Sequence, residues 1–372
     1  MAKRGLNIYR RKDGRWEGRI RQNFIKSGTR KYRSVYGSTY KECKEKMLSL
    51  LAEQENQTQK CTLTIKQVVD IWIADKKCVW KESTYACYKQ LVRLYISDSI
   101  AKQKADDFTN AAFNEYISSI RKANDGSKIS ASYARNIGGI FRQAFSYVSA
   151  EYNYNLPILV NKVMQRCPKQ LELPSDTAMK RLAEYLYSHT DDSTCVGILL
   201  AYYTGIRIGE LCALTWGDID FEEGLLKISK NMQRIKDFNM ETTATAVKVQ
   251  TPKTITSVRS IPIPDILMRT LKKNRKQEKD YLIVGKKKEW AETRTLQYRF
   301  AAILKKCGIE HFKFHMLRHY FASLCVRQGV DVKSLSEILG HSNIQITLNL
   351  YVHSTMNQKR MLMNKVFDTD AA

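Results

Sequence analysis

Acidic residues are in short supply in this chain: 37 Asp and Glu stand against 62 Lys and Arg. Proline and glycine are also scarce, at 6 and 17 of 372 residues, which argues against a collagen-like or low-complexity architecture. No apolar run reaches the length of a membrane-spanning helix, so no membrane partner is expected. The opening residues, Met1-Ala-Lys-Arg-Gly-Leu6, have no apolar stretch behind their charges and do not read as a secretory signal. The nine cysteines are odd in number and lie singly between Cys43 and Cys325, with no C-x-x-C pair. That spacing excludes a disulfide scaffold and a structural zinc site, and fits reduced thiols in a cytoplasmic protein. There is no internal repeat of solenoid period. Neither a G-x-x-x-x-G-K-[ST] loop nor a carboxylate triad is present, so no cofactor and no metal are expected.

What is present is positive charge. The formal net charge is +25, while 43% hydrophobic content is ample for packed cores. A folded chain so basic points to a polyanionic partner, most simply nucleic acid. The length suggests two or three domains.

Three pieces can be read along the chain. Residues 1–40 hold 12 Lys and Arg against Asp13 and Glu17. Strands are expected at 6–10, 16–21 and 31–36, with Asp13-Gly14 as a hairpin turn. A helix over 39–55 follows, then a polar linker at 55–60. A sheet face carrying Arg15, Arg19, Arg21, Lys31 and Arg33 fits a DNA groove, the alternative being a solvated basic face. Residues 62–160 show apolar residues at helical spacing over 62–75, 81–97, 109–123 and 130–151, with Thr84 and Ser130 as helix starts. This is a helical bundle. From 174 onward, helices are expected at 178–188, 194–203, 265–280, 295–307, 315–328 and 332–339, with strand-like runs at 218–230 and 245–264. The predicted class is mainly α with small β-sheets.

Four stretches carry chemistry. In Thr204-Gly-Ile-Arg207-Ile-Gly-Glu210 an apolar helix ends and an arginine opens the next, a natural place for a phosphate. Thr251-Pro-Lys253-Thr precedes the strand Arg259-Ser-Ile-Pro262. His315 and Arg318 of His315-Met-Leu-Arg318-His319 lie one helical turn apart and share a face. Leu339-Gly-His341-Ser is followed by Tyr351-Val-His353. Each is weak alone; the ordered set is specific.

With these motifs in this order, the chain resembles the tyrosine recombinases of the phage-integrase type, and in particular the integrases of conjugative transposons. The resemblance covers residues 174–366. It implies an arm-type DNA-binding domain at 1–57, a SAM-like core-binding domain at 62–160 and a mixed α/β tyrosine recombinase catalytic domain at 174–372. It also implies a homotetramer on double-stranded DNA with core and arm attachment sites, and an excisionase or DNA-bending host factor as a further partner.

The residue types suit phosphodiester transfer. Arg207 and Arg318 are forks for a phosphate that gains negative charge, and His341 can donate a further bond. Tyr351 is a phenol, and no other tyrosine follows Tyr320 to compete for the role of nucleophile. His315 is the better-placed base, and Lys253 is suited to protonating the departing 5′ oxygen. The resemblance assigns the same roles, with a 3′-phosphotyrosyl link and a free 5′-hydroxyl. Lys248 and Lys230 are alternatives to Lys253, and Glu210 is expected to orient Arg207. The tail over 353–367 either packs on its own domain or docks on a neighbouring subunit. A type IB topoisomerase-like nicking and closing enzyme is the alternative chemistry, and a non-catalytic DNA-binding protein the alternative class.

Overall fold

The structure is a computed structural model that describes residues 7–21, 32–56, 59–122, 126–162, 172–236, 245–252, 255–285, 289–341 and 360. The chain forms two compact units, Met1–Lys169 and Gln170–Ala372. Among the described residues no helix is long and apolar enough to cross a membrane.

The first unit opens with a three-stranded antiparallel sheet of β1 (Ile8–Arg10), β2 (Trp16–Arg21) and β3 (Tyr32–Gly37), backed by α1 (Tyr40–Asn56). Alternation along β2 sends Trp16, Gly18 and Ile20 toward the helix, where Ile20, Val35, Cys43 and Met47 form a small core. Gly37 lets α1 approach, since a Cβ there would lie 2.6 Å from the Cys43 nitrogen. The expected linker is tied down at Gln59, which bonds to Asn153 and Asn155 and pairs with Tyr154.

Five helices follow: α2 (Ile65–Lys76), α3 (Glu82–Tyr95), α4 (Asp98–Ala101), α5 (Asn110–Ser119) and α6 (Ala131–Tyr152). Thr64, Thr109 and Ser130 cap α2, α5 and α6 with their side chains. The helix predicted from 81 to 97 breaks at Ile96, whose backbone is extended, and restarts after Ser97. It begins at Glu82, not at Thr84. The helix expected to reach 123 stops at Ser119, because the Arg121 guanidinium folds back onto the carbonyls of Ser118, Ser119 and Ile120. Phe108, Phe113, Phe141 and Phe145 centre this core.

The second unit contains α7 (Asp176–Ser188), α8 (Ser193–Thr204), α9 (Ile208–Ala213), β4 (Ile219–Asp220), β5 (Leu225–Ile228), β6 (Asn231–Lys236), β7 (Thr245–Gln250), β8 (Arg259–Pro262), α10 (Asp265–Lys273), α11 (Thr293–Lys306), α12 (His315–Arg327) and α13 (Val332–Leu339). Strands β4, β5 and β8 make one antiparallel sheet, and β6 and β7 a separate hairpin. Helix α8 is apolar on almost every side and runs through the centre of the core. Helix α10 is shorter than predicted because Asn274 caps it, its side-chain amide bonding the Thr270 carbonyl.

Candidate active site

The Thr204-Gly205 signal ends α8 as expected. Gly205 adopts φ +63°, and a Cβ there would collide with Phe321 at 2.5 Å. The chain then turns into α9 with Arg207 at its N-cap. The Glu210 carboxylate caps this helix N-terminus beside the arginine. Its Oε2 accepts the Arg207 backbone N–H at 2.9 Å, and its Oε1 accepts Nη1 at 2.8 Å. The Arg207 side chain is about a third exposed.

Helix α12 begins at His315, so His315, Arg318 and His319 sit on its first turns. Arg318 is buried. Its Nη1 donates to the Gly205 carbonyl at 2.9 Å and its Nη2 to the Leu339 carbonyl at 2.7 Å. Helix α13 ends at Gly340 in the left-handed region, φ +65°, and the His341 N–H closes the turn onto the Ser336 carbonyl at 3.0 Å.

These elements meet at the end of α13. Three consecutive carbonyls there receive three guanidiniums: Ile338 from Arg259 Nε at 2.6 Å, Leu339 from Arg318, and Gly340 from Arg207 Nη2 at 3.3 Å. A helix C-terminus carries partial negative charge and unsatisfied carbonyls, so it gathers cations that would otherwise repel one another. Glu210 is buried among them. Burial pushes its carboxyl up, but the bonds and charge of Arg259, then those of Arg207, outweigh burial and hold it below the usual range.

The imidazoles feel the same field. Desolvation by the surrounding protein, then the positive charges of His319, Arg318 and Arg207, push His315 down to about 4, although the residue keeps an exposed edge. Its ring stands edge-on to His319 at 4.6 Å. Burial, then Arg318, Arg207 and Arg259, push His341 down to about 4 as well. Both rings are therefore neutral at pH 7, able to accept a proton or to donate an N–H. NMR titration of the free full-length chain should find both neutral until the pH approaches 4, whereas an ordinary histidine titrates near 6.5. The unfolded chain takes up these protons first, so the histidine contribution to stability is intact above 6.5 and declines as the pH falls from there toward 4. Titration of either ring above 6 would contradict this geometry.

Lys253 and Tyr351 lie outside the described residues, as do Lys31 and, except for Arg360, the tail over 353–367. Of the two alternatives to Lys253, Lys230 is held by Asp218 at 2.9 Å, while Lys248 lies within β7 opposite Gln233. Sequence reasoning gave Glu210 its orienting place but passed over Arg259 as a member of the cluster.

On the N-terminal sheet the expected basic face is corrected in one respect. Arg33 pairs with Ile20 in register and so stands on the helix side of the sheet, opposite to Arg19. The outer face instead combines Tyr9, Glu17, Arg19 and Tyr36 with Arg11 and Arg15. Glu17 is buried there, its carboxyl held down at about 2 by hydrogen bonds from Arg19, Tyr9, Ser34 and Arg11. Arg11 and Arg15 lie over the Tyr36 ring, at 5.6 and 5.7 Å, and Arg19 over Tyr9 at 5.2 Å. Arg15 is also paired with Asp13 at 2.8 Å. Arg21 ends the ladder opposite Tyr32.

Comparison with known proteins places this arrangement. The phage integrase family matches residues 175–358, and the N-terminal SAM-like domain of phage integrases matches 64–120. The chain belongs to the phage integrase family, the tyrosine recombinases. It is similar to a XerC-like tyrosine recombinase of Caldanaerobacter subterraneus, 26% identical over 91% of this chain and 96% of the relative. It is also similar to the transposase of transposon Tn916 from Enterococcus faecalis, 29% identical over 50% of this chain and 47% of the relative. The integrase of transposon Tn1549, solved with a circular intermediate DNA, shares the fold, with a TM-score of 0.66 over 82% of this chain and 99% of that one at 22% identity. As a tyrosine recombinase the chain is a DNA-acting enzyme of mainly helical fold with small antiparallel sheets.

Proposed function

We propose that this recombinase integrates and excises a mobile DNA element, with Tyr351 as nucleophile. The observation that carries the reading is the convergence of Arg207, Arg318, His315 and His341 around the C-terminal turn of α13. The similarity to the Tn916 transposase and to the Tn1549 integrase supports a mobile element as the substrate.

In the forward step the Tyr351 hydroxyl oxygen attacks phosphorus and its proton passes to neutral His315. The bond to the 5′ oxygen breaks, and Lys253 supplies that oxygen with a proton. The phosphate stays joined to the tyrosine through a new P–O bond, and the strand end is a 5′-hydroxyl. Rejoining is the same sequence in reverse with a different 5′-hydroxyl, so no water and no nucleotide are consumed. Arg207, Arg318 and His341 donate to the non-bridging oxygens as negative charge builds on them. Core sites bind the helical and catalytic pieces. Arm sites bind the outer sheet face through Arg15, Arg19 and Arg21, together with Arg11. The protein acts as a homotetramer on DNA, with an excisionase or DNA-bending host factor setting direction.

The test is a nicked duplex built from the joined ends of the DNA segment that encodes the chain, incubated with chelator present. The full-length protein should form a covalent protein–DNA adduct on a denaturing gel. Tyr351→Phe should form none while binding the duplex with unchanged affinity. Adduct formation by Tyr351→Phe at the native rate would exclude Tyr351 as nucleophile.

A further inference from the structure

We propose that Arg259 is a positioning residue for cleavage, one that leaves a net positive charge around Arg207 by sharing its carboxylate partner and that fixes the turn carrying His341; the proposal rests on the recombinase reading above.

Arg259 opens β8 and turns inward, opposite the buried Ile228. Its side chain is 6% exposed. Four of its five N–H donors have partners within the protein: Nη2 bonds Glu210 Oε2 at 2.9 Å, Nη1 bonds Glu210 Oε1 at 3.2 Å and the Ser257 carbonyl at 3.0 Å, and Nε bonds the Ile338 carbonyl at 2.6 Å. With Nε and both Nη atoms spent in four bonds inside the protein, this guanidinium has at most one N–H left for DNA.

Two consequences follow from its partners. The first is electrostatic. Each oxygen of Glu210 carries one bond from Arg207 and one from Arg259. If Glu210 faced Arg207 alone, one carboxylate would neutralise one guanidinium, and little positive charge would remain for a phosphate. Sharing the carboxylate with a second arginine leaves the trio at a net charge of about +1, with Arg207 as its solvent-facing end. The second consequence is mechanical. The Nε bond holds the end of α13, and the guanidinium packs on Gly340, where a Cβ would lie 3.0 Å from Nη1. His341 is the next residue. One side chain thus sets the charge available at Arg207 and the place of His341.

The test uses the full-length chain with Arg259→Met and Arg259→Lys. Methionine removes the charge and every bond. Lysine restores a charge beside Glu210 but lacks the planar fork and the Nε donor. Two readouts are needed: amide hydrogen exchange at Gly340 and His341 in the free protein, and single-turnover cleavage of the nicked duplex at saturating concentration, with duplex affinity measured alongside. Arg259→Met should exchange those amides at least about ten-fold faster and cleave about 10²-fold more slowly, with affinity unchanged. Arg259→Lys should regain about ten-fold in cleavage rate while its amide exchange stays fast. A role in folding alone would lower cleavage and affinity together, and lysine would not rescue cleavage selectively. Wild-type exchange at Gly340 and His341 in Arg259→Met would overturn the mechanical half. Cleavage within two-fold of wild type, or falling only in step with affinity, would overturn the electrostatic half. If the wild type itself formed no adduct, the recombinase reading would fall, and with it the claim on cleavage; the exchange result would still decide the tie to His341.

Discussion

Arg318→Ala should slow strand cleavage by about 10²–10³-fold, the loss expected when a donor to a developing anion is removed, and should also destabilise the catalytic unit. The second effect comes from the two carbonyls it serves. Gly205 O lies at the end of α8 and Leu339 O at the end of α13, and both are bonded by the one buried guanidinium. Leaving each without a donor costs about 1–3 kcal/mol. For a unit of this size the sum corresponds to a melting temperature lower by roughly 5–20 °C. Arg318→Lys should rescue neither property, because the two carbonyls are met by different nitrogens of one rigid fork and an ammonium is a single point. Calorimetry of the full chain and single-turnover cleavage below the melting range of the variant separate the two effects. Cleavage by Arg318→Ala at more than a tenth of the wild-type rate would leave Arg318 a structural role only.

Much of this was legible in the sequence, for identifiable reasons. Strand β2 follows from strict alternation, Trp16, Gly18 and Ile20 against Glu17, Arg19 and Arg21, and its ends agree with the expectation. Helix α13 likewise runs from Val332 to Leu339 as its spacing predicts. The stop at Gly205 was announced by a glycine after an apolar helix. The facing of Arg33 was not legible, because it depends on which residue of β2 it pairs with, and register is set across a turn whose length the letters do not fix. Alternation puts Glu17 on the face turned away from the helix, yet it is buried there beneath two arginines and a tyrosine. The gathering point of the site is a run of backbone carbonyls, and a carbonyl has no letter in the sequence. Arg259 was within reach: in Arg259-Ser-Ile-Pro the two-residue period puts the arginine on the same face as Ile261, which is buried. Lys253 and Tyr351 rest on their motifs alone.

Glu210→Gln should be among the most destabilising single changes in the catalytic unit. The substitution keeps the shape and leaves Arg259 buried with no counter-charge, Glu210 and Arg259 being 3% and 6% exposed at the side chain. Removing one partner of a buried ion pair costs about 3–5 kcal/mol, equivalent to a melting temperature lower by roughly 6–20 °C. The effect has a pH signature. Because the carboxyl is held below the ordinary glutamate value of 4.5, its contribution is complete above that pH and is lost as the pH falls through the folded-state value. The gap in melting temperature between wild type and Glu210→Gln should therefore be widest near neutrality and close in acid. Pairing the change with Arg259→Met removes both charges together, so no buried guanidinium is left without a counter-charge and only a neutral amide has to find partners. The double variant should thus melt well above Glu210→Gln. It should still cleave poorly, because the Arg207 guanidinium has lost the carboxylate that aims it. Recovery of cleavage along with stability would mean that the acid serves the fold and leaves Arg207 to orient itself; recovery of stability alone would place Glu210 in the aiming of the catalytic arginine.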